Sequence, residues 1–273
     1  MAALDPAVAA MLFDPSHACR ATRPWARFAW RCGDAALDLL FPPHCASCGV
    51  PLPEFINKAL CKKCSDQVRW IGEDRCVRCG DSVGVGMGPV SDCVSCRTHP
   101  PRFVSAAVAT LRYEEGPARD LVLGLKFGGK RYLAQTLGKI VAMRIGHAAL
   151  LGDTAGVVVV PTPLMRGALF KRGYNQAEEL ARVVATELKL KLETRLLKKI
   201  RATRPQAMLS EKQRRENLIG AFGCVAKRVK SYQGASVLLV DDVITTGSTV
   251  SECARMLHQA GIGKVFAACF ARG

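Results

Sequence analysis

Asp241 and Asp242 stand side by side after an apolar run, in VLLVDDVITTGSTV (237–250), and small hydroxyl residues crowd in behind them. Adjacent carboxylates accept hydrogen bonds from neighbouring hydroxyls, or from one hydroxyl and a hydrated Mg2+. Successive strand residues face opposite ways, so the two acids cannot close as one symmetric clamp. Thr245, Thr246, Gly247, Ser248 and Thr249 then offer backbone N–H groups, hydroxyls and the start of a helix, with the glycine allowing close approach. That combination suits a phosphate. Carboxylates for a sugar's hydroxyls beside a cradle for its phosphate describe a site for a phosphorylated ribose. An ordinary helix cap would explain one Ser or Thr, not five residues.

A second chemistry lies nearer the front. Eight cysteines fall as Cys45-x2-Cys48, Cys61-x2-Cys64, Cys76-x2-Cys79 and Cys93-x2-Cys96, with 12, 11 and 13 residues between successive pairs. Each CxxC turn offers two thiolates to one side of a tetrahedral Zn2+, and a pair a dozen residues on can fold back to complete the site. Gly49 and Gly80 follow two of these pairs, where a knuckle needs permissive backbone. The reading is two consecutive zinc ribbons, with cross-braced pairing (first pair with third, second with fourth) as the alternative. Four thiolates close each site, so the two Zn2+ ions are expected to be structural. The segment is poor in large apolar residues, so metal binding supplies much of its folding energy. Cys253 and Cys269 lie in apolar stretches and read as core residues, and Cys19, Cys32 and Cys224 show no ligand spacing.

These groups need elements to hold them. After about Arg102 the cysteine pairs stop and apolar runs alternate with helical patterns: FVSAAVATLRY, GVVVVPTP, ASVLLVDD and KVFAACFA. Val157–Val160 and Val237–Val240 are continuously apolar, as in strands buried on both faces of a parallel sheet. Ala177, Leu180, Ala181, Val184 and Leu188 form one helical stripe, with Asn175 and Glu178 as a cap at its start. Val250, Cys253, Ala254, Leu257 and Ala260 form another, stopped by Gly261. The fold class expected is α/β, a parallel sheet flanked by helices, in which ligands sit beyond the carboxyl ends of the strands. Three parts follow: a partly helical segment over 1–40 (PWARFAWRCGDAALDLL at 24–40 in particular), ribbons over 41–100, and the α/β domain over 101–273.

VLLVDDVITTGST resembles the phosphoribosyl pyrophosphate (PRPP) signature of type I phosphoribosyltransferases. The resemblance implies that Asp241 and Asp242 contact the ribose hydroxyls, as binding and catalytic groups. It likewise places the 5-phosphate on Thr245 through Thr249, and Mg2+ with the PRPP. VVVVPTPL (157–164) matches the family's pyrophosphate strand and loop, so Pro161, Thr162 and Pro163 carry over, with Arg166, Lys171 or Arg172 as neutralising charges. LDLLFPPHCASCG, LKFGGKRYLA (125–134), KRGYNQAEELA (171–181), RPQAMLS and RRENLIGAF (214–222) narrow this to a likeness with the competence protein F (ComF) family, over roughly residues 37–273. That family joins a double zinc ribbon to a phosphoribosyltransferase domain. The likeness implies work on single-stranded DNA during natural competence, with competence or recombination proteins as partners. The alternatives are an active phosphoribosyltransferase of nucleotide and nucleoside metabolism with an acceptor that no residue names, and a PRPP sensor that binds without turnover.

Composition bounds the rest. A chain of 273 residues with 49% hydrophobic content is not generally disordered, and no stretch is apolar enough to cross a membrane. MAALDPAVAAMLFDPSHACR lacks a basic start and a greasy core, so no secretory signal is expected and the location read is cytoplasmic. The formal charge of +16 falls to about +12 once eight thiolates hold two Zn2+, which still favours a polyanionic or phosphorylated partner. Lys189–Arg215 is rich in cations and reads as a loop over the site or as a nucleic-acid track, but no aromatic residue interleaves it. Gly124-x4-Gly129-Lys130 lacks the Ser or Thr of a nucleotide P-loop, because Arg131 stands there.

Overall fold

The computed structural model describes residues 44–52, 59–98, 100–203 and 211–273. The helix expected within 24–40, and Cys19 and Cys32, lie outside the described residues. The strands in chain order are β1 (Ala106–Arg112), β2 (Val157–Pro161), β3 (Lys191–Leu192), β4 (Leu197–Lys199), β5 (Phe222–Cys224), β6 (Ser236–Ile244) and β7 (Val265–Arg272). The principal helices are α1 (Pro117–Lys126), α2 (Leu133–His147), α3 (Arg166–Arg172), α4 (Gln176–Glu187), α5 (Glu211–Leu218) and α6 (Ser248–Gln259). Five strands form a parallel sheet in the order β1-β7-β6-β2-β3, and β4 pairs with β5 as a separate antiparallel ribbon.

The continuously apolar runs form the central strands because both faces of the sheet are covered. Leu238 and Val240 of β6 enter a core with α1, α2 and α4, while Val237 and Leu239 enter the opposite core with Val250, Cys253, Ala254 and Leu257 of α6. The period-2 alternation therefore decides where the acids go: Asp242 continues the first face and Asp241 the second. Asn175 caps α4, its side-chain oxygen accepting from Ala177 N, and Gly261 ends α6 in the left-handed region (φ 86°). The cap acts through Asn175 alone.

Asp241 and Asp242 were expected at a strand end, and β6 instead runs on to Ile244. Its ladder to β7 continues through Asp241↔Cys269 to Ile244↔Arg272, whereas its ladder to β2 stops at Pro161↔Val240. The acids are thus held on one side and open on the other. The opening is a topological switch point: β2 leads outward to β3, and β6 leads the other way to β7. In open α/β sheets, ligands bind in this kind of crevice.

The cysteine-rich segment covers the edge of β1. Residue Trp70 bridges Leu111 antiparallel, Ile71 N donates to Thr110 O at 2.9 Å, and Ala107 N donates to Val77 O at 2.9 Å. Gly80 has φ 76°, and a Cβ there would lie 3.0 Å from the backbone of Val108 and Ala109, so only glycine lets this knuckle lie flush on the strand. Leu52, Leu60 and Val68 join the core that α1 and α2 share.

The basic stretch Lys189–Arg215 is not one loop. It contributes β3, β4 and part of α5, and its residues 204–210 lie outside those described. Arg201 donates to Asn217 O and Ile219 O, both at 2.8 Å, closing the base of this excursion. Gly124 sits inside α1 rather than in a strand-to-helix loop, so the near P-loop has no phosphate-binding backbone.

Candidate functional site

Three segments meet at the crevice. The end of β2 brings Pro161, Thr162 and Pro163. Thr162 N donates to Val240 O at 3.0 Å, and Asn175 Nδ2 donates to Thr162 O at 2.9 Å, so the residue that caps α4 also fixes this turn. The end of β6 brings Asp241 and Asp242, 9% and 3% exposed. The turn Thr245–Gly247 and the start of α6 complete it. Gly247 is the N-cap in the left-handed region (φ 72°), and no side chain caps α6. The first N–H groups of an α-helix have no acceptor within the helix, so an uncapped start beside a crevice is a ready anion site. Thr246 Oγ1 and Ser248 Oγ lie 2.8 Å apart across the same turn.

The two acids differ in their company. Asp242 meets Lys126 Nζ at 2.8 Å from its Oδ2 and Gln176 Nε2 at 3.5 Å from its Oδ1. Asp241 accepts from Asp242 N at 2.9 Å and makes no direct ion pair with a basic side chain among the described residues. Burial, and then the neighbouring Asp242 charge, push its pKa up to about 8 against the opposing pull of the Thr162 hydroxyl and Lys126. A buried carboxylate beside a second one is short of positive charge and of donors, which is the state that ligand hydroxyls or a cation relieve. Arg172, at the end of α3, donates to Gln176 Oε1 and lies 4.9 Å over the Phe127 ring. It therefore reaches the acids only through Gln176.

Sequence reasoning missed three of these groups. Lys126 and Gln176 lie 116 and 66 residues from Asp242 in the chain, inside segments that carry the family likeness but with no pattern that points to Asp242. Arg272 is buried and donates to the carbonyls of Ile244 (3.0 Å), Thr245 and Gly273, so it clasps the backbone that leads into the turn. Replacing Arg272 with methionine removes the donor to Thr245 O and one of the two donors to Ile244 O, which also accepts from Gly273 N at 3.0 Å. It is expected to lower the melting temperature by several degrees, since each buried unsatisfied group costs about 1–3 kcal/mol. Loss should also appear in anion affinity at the turn, and an unchanged melt in a thermal scan would contradict the clasp.

The cysteines form two separate groups, Cys45/Cys48/Cys61/Cys64 and Cys76/Cys79/Cys93/Cys96, and in each the four sulfurs lie within 4.8 Å of one another. The consecutive pairing holds and the cross-braced one does not. Sulfur–sulfur separations of 3.7 Å (Cys48–Cys61), 3.7 Å (Cys76–Cys96) and 3.5 Å (Cys79–Cys93) match the edge of roughly 3.8 Å that a tetrahedron with Zn–S of about 2.3 Å requires. Burial pushes the Cys64 and Cys96 thiols up to about 12, so without a cation these sulfurs stay protonated. The ligand sets fit Zn2+ and leave no open position, which makes both sites structural. Cys253 and Cys269 are buried core residues, as expected.

Comparison with known proteins adds independent findings. The double zinc ribbon domain matches residues 36–97, and the phosphoribosyl transferase domain matches residues 156–273. The chain is 31% identical over 238 residues to the DNA utilization protein YhgH of Salmonella typhi, covering 86% of this chain and 99% of that protein. The protein of the same name in Escherichia coli (strain K12) is 29% identical over the same shares. Competence protein F of Haemophilus influenzae is 28% identical over 211 residues, covering 77% of this chain and 88% of its own length.

Proposed function

This chain belongs to the competence protein F family, and from that premise we propose that it binds PRPP in the crevice between β2 and β6 and acts in the handling of DNA. The observation that carries this is the placement of a buried acidic doublet and an uncapped helix start on one strand-to-helix turn, at the switch point of a parallel sheet. Asp241 and Asp242 accept hydrogen bonds from the ribose hydroxyls. Residues Thr245–Thr249 and the α6 N-terminus hold the 5-phosphate. Pro161–Pro163 line the diphosphate side, with Arg172 as the nearby cation. Mg2+ bound with PRPP would supply charge that neutralises the diphosphate, and Asp241 and Asp242 are the carboxylates that would hold it.

Where PRPP is turned over, the bond between ribose C1 and the diphosphate oxygen breaks, an acceptor nitrogen forms a bond to C1, and pyrophosphate leaves. The carboxylates favour the positive charge that develops on the ribose, and the fixed turn orients it. The relatives are named for DNA utilization and for competence, and DNA with its competence or recombination proteins is the proposed setting here. A reducing cytoplasm suits eight ligand thiols. Among the described residues, no helix is long and apolar enough to cross a membrane.

Calorimetry of the zinc-loaded protein with Mg2+ and PRPP tests the reading. Saturable heat is expected, lost in Asp241→Ala and Asp242→Ala. Wild-type protein that gives none refutes it. Pyrophosphate release across a panel of nitrogenous bases then separates an active transferase from a protein that only binds.

A further inference from the structure

Residues 100–105 lead from the second ribbon into β1 and touch α6 on the way. Arg102 N donates to Ser251 Oγ at 3.0 Å, and Phe103 O lies 3.1 Å from His258 Nε2. A Cβ on Gly247 would lie 3.9 Å from Pro101 Cβ, so this buried proline backs the N-cap of α6. Between the two bonds Phe103 has φ 62°, a left-handed backbone that persists only where its surroundings over-determine it. Ser251 N closes the first turn of α6 onto Gly247 O at 2.8 Å, so the bond from Arg102 grips the very turn that faces the crevice.

The second ribbon reaches that turn by another route as well. Cys79, Pro101, Thr246, Gly247, Val250 and Arg272 line one small cleft. Asp81, two residues after Cys79, pairs with Arg112 at 2.8 Å, and Arg112 is the register neighbour of Arg272, which donates to Thr245 O. The first ribbon rests instead on α1 and the segment after it: Ser47 Oγ donates to Asp120 at 2.6 Å, and Lys130 Nζ donates to Ala46 O at 3.4 Å.

We infer that Ser251 and the connector Pro101–Phe103 are positioning elements, through which the second zinc site sets the geometry of the anion turn. A helix start frays unless something holds it, and α6 has glycine where a capping side chain would stand. The order of the turn must then come from what packs behind it, which is the connector and the Cys79 knuckle. Metal loss frees both, because zinc takes the place of a core in the ribbon and Gly80 seats the knuckle on β1 only while the ribbon keeps its shape. Coupling between two sites is reciprocal in binding free energy. An anion on the turn therefore retains the ion of Cys76/Cys79/Cys93/Cys96, and that ion raises affinity for the anion.

The inference rests on the proposed function only in taking this turn as the anion site, and its test needs no ligand. Hydrogen exchange and indicator-detected zinc release are measured on the zinc-loaded protein, for wild type, Ser251→Ala and Ser251→Thr. Loss of the acceptor for Arg102 N in Ser251→Ala predicts faster exchange at the amides of 246–250, by about threefold to tenfold, the worth of one hydrogen bond. Release of the second ion should quicken by a similar factor. Release of the first ion, and exchange along β2, should keep their wild-type rates. Ser251→Thr retains a hydroxyl and should restore both readings. Wild-type exchange at the turn in Ser251→Ala, or unchanged release of the second ion, overturns the inference. So does equal quickening of both ions, which marks a general loss of stability. Calorimetry with Mg2+ and PRPP should show Ser251→Ala binding weaker by the same factor. Wild-type protein that gives no heat sinks the PRPP reading, while exchange and zinc release still decide this one.

Discussion

Replacing Asp241 with asparagine is expected to weaken PRPP binding by about tenfold to a hundredfold while making the ligand-free protein more stable above neutral pH. The first effect follows from losing a charged acceptor, since hydrogen bonds to charged groups are worth about 1.5–3 kcal/mol. The second follows from linkage. Burial and the Asp242 charge hold the folded pKa of Asp241 near 8, well above its ordinary value of 3.8. Between those two values the folded protein binds more protons than the unfolded chain, so stability falls as pH rises through that window. Asparagine has no charge to bury, and the variant's advantage should be small at pH 4, grow through pH 6, and level off above pH 8. Thermal melts across this range should show the growing gap, at about 2–4 °C for each kcal/mol regained. A variant less stable than wild type at pH 9 would contradict the assignment of Asp241 as an electrostatically strained group. Wild-type PRPP affinity should also gain from a rise in pH from 7 to 9 in a way the asparagine variant does not.

Removal of zinc is expected to have a larger structural effect. Apparent binding free energies of structural Zn2+ run to about 10–16 kcal/mol, and here that energy replaces an apolar core the ribbons lack. The damage should spread, because Leu52, Leu60 and Val68 share a core with α1 and α2, and Val77 and Ile71 pair with the edge of β1. The two ions should not leave together. Cys48 is exposed and Cys61 partly so, while Cys76, Cys79, Cys93 and Cys96 are all buried. A chelator with a metallochromic indicator should report two phases, the first from Cys45/Cys48/Cys61/Cys64. Serine variants at Cys48 and at Cys79 assign them, and release in one phase, or from the second site first, would contradict the order. Metal binding must displace protons from Cys64 and Cys96, which burial holds high, so both phases should quicken as pH falls.

Local chemistry was legible from the chain alone where one short segment carries the whole signal. Val157–Val160 and Val237–Val240 read as buried strands because short, Val-rich, continuously apolar runs fit a sheet covered on both sides. CxxC pairs a dozen residues apart read as zinc sites because a turn that short presents two sulfurs to one ion. The turn behind Asp242 read as a phosphate cradle because its glycine, hydroxyls and helix start are contiguous.

What escaped depends on parts of the chain that meet only after folding. Lys126 reaches Asp242 because α1 packs over the face that even-numbered residues of β6 point to, and no local pattern encodes that approach. Arg272 clasps the turn because β7 lies beside β6, a matter of strand order. Arg172 lies over the Phe127 ring, 45 residues away in the chain, only because the helix Arg166–Arg172 packs near the end of α1. The order of the eight cysteines was enough, by itself, to mark two thiolate metal sites, and the composition of the turn after β6 was enough to suggest the anion proposed there. Tertiary structure alone decided which charged groups meet at the crevice, Lys126 on Asp242 and Arg272 on the turn, because packing, unlike hydrogen-bonded local geometry, joins residues without regard to their distance along the chain.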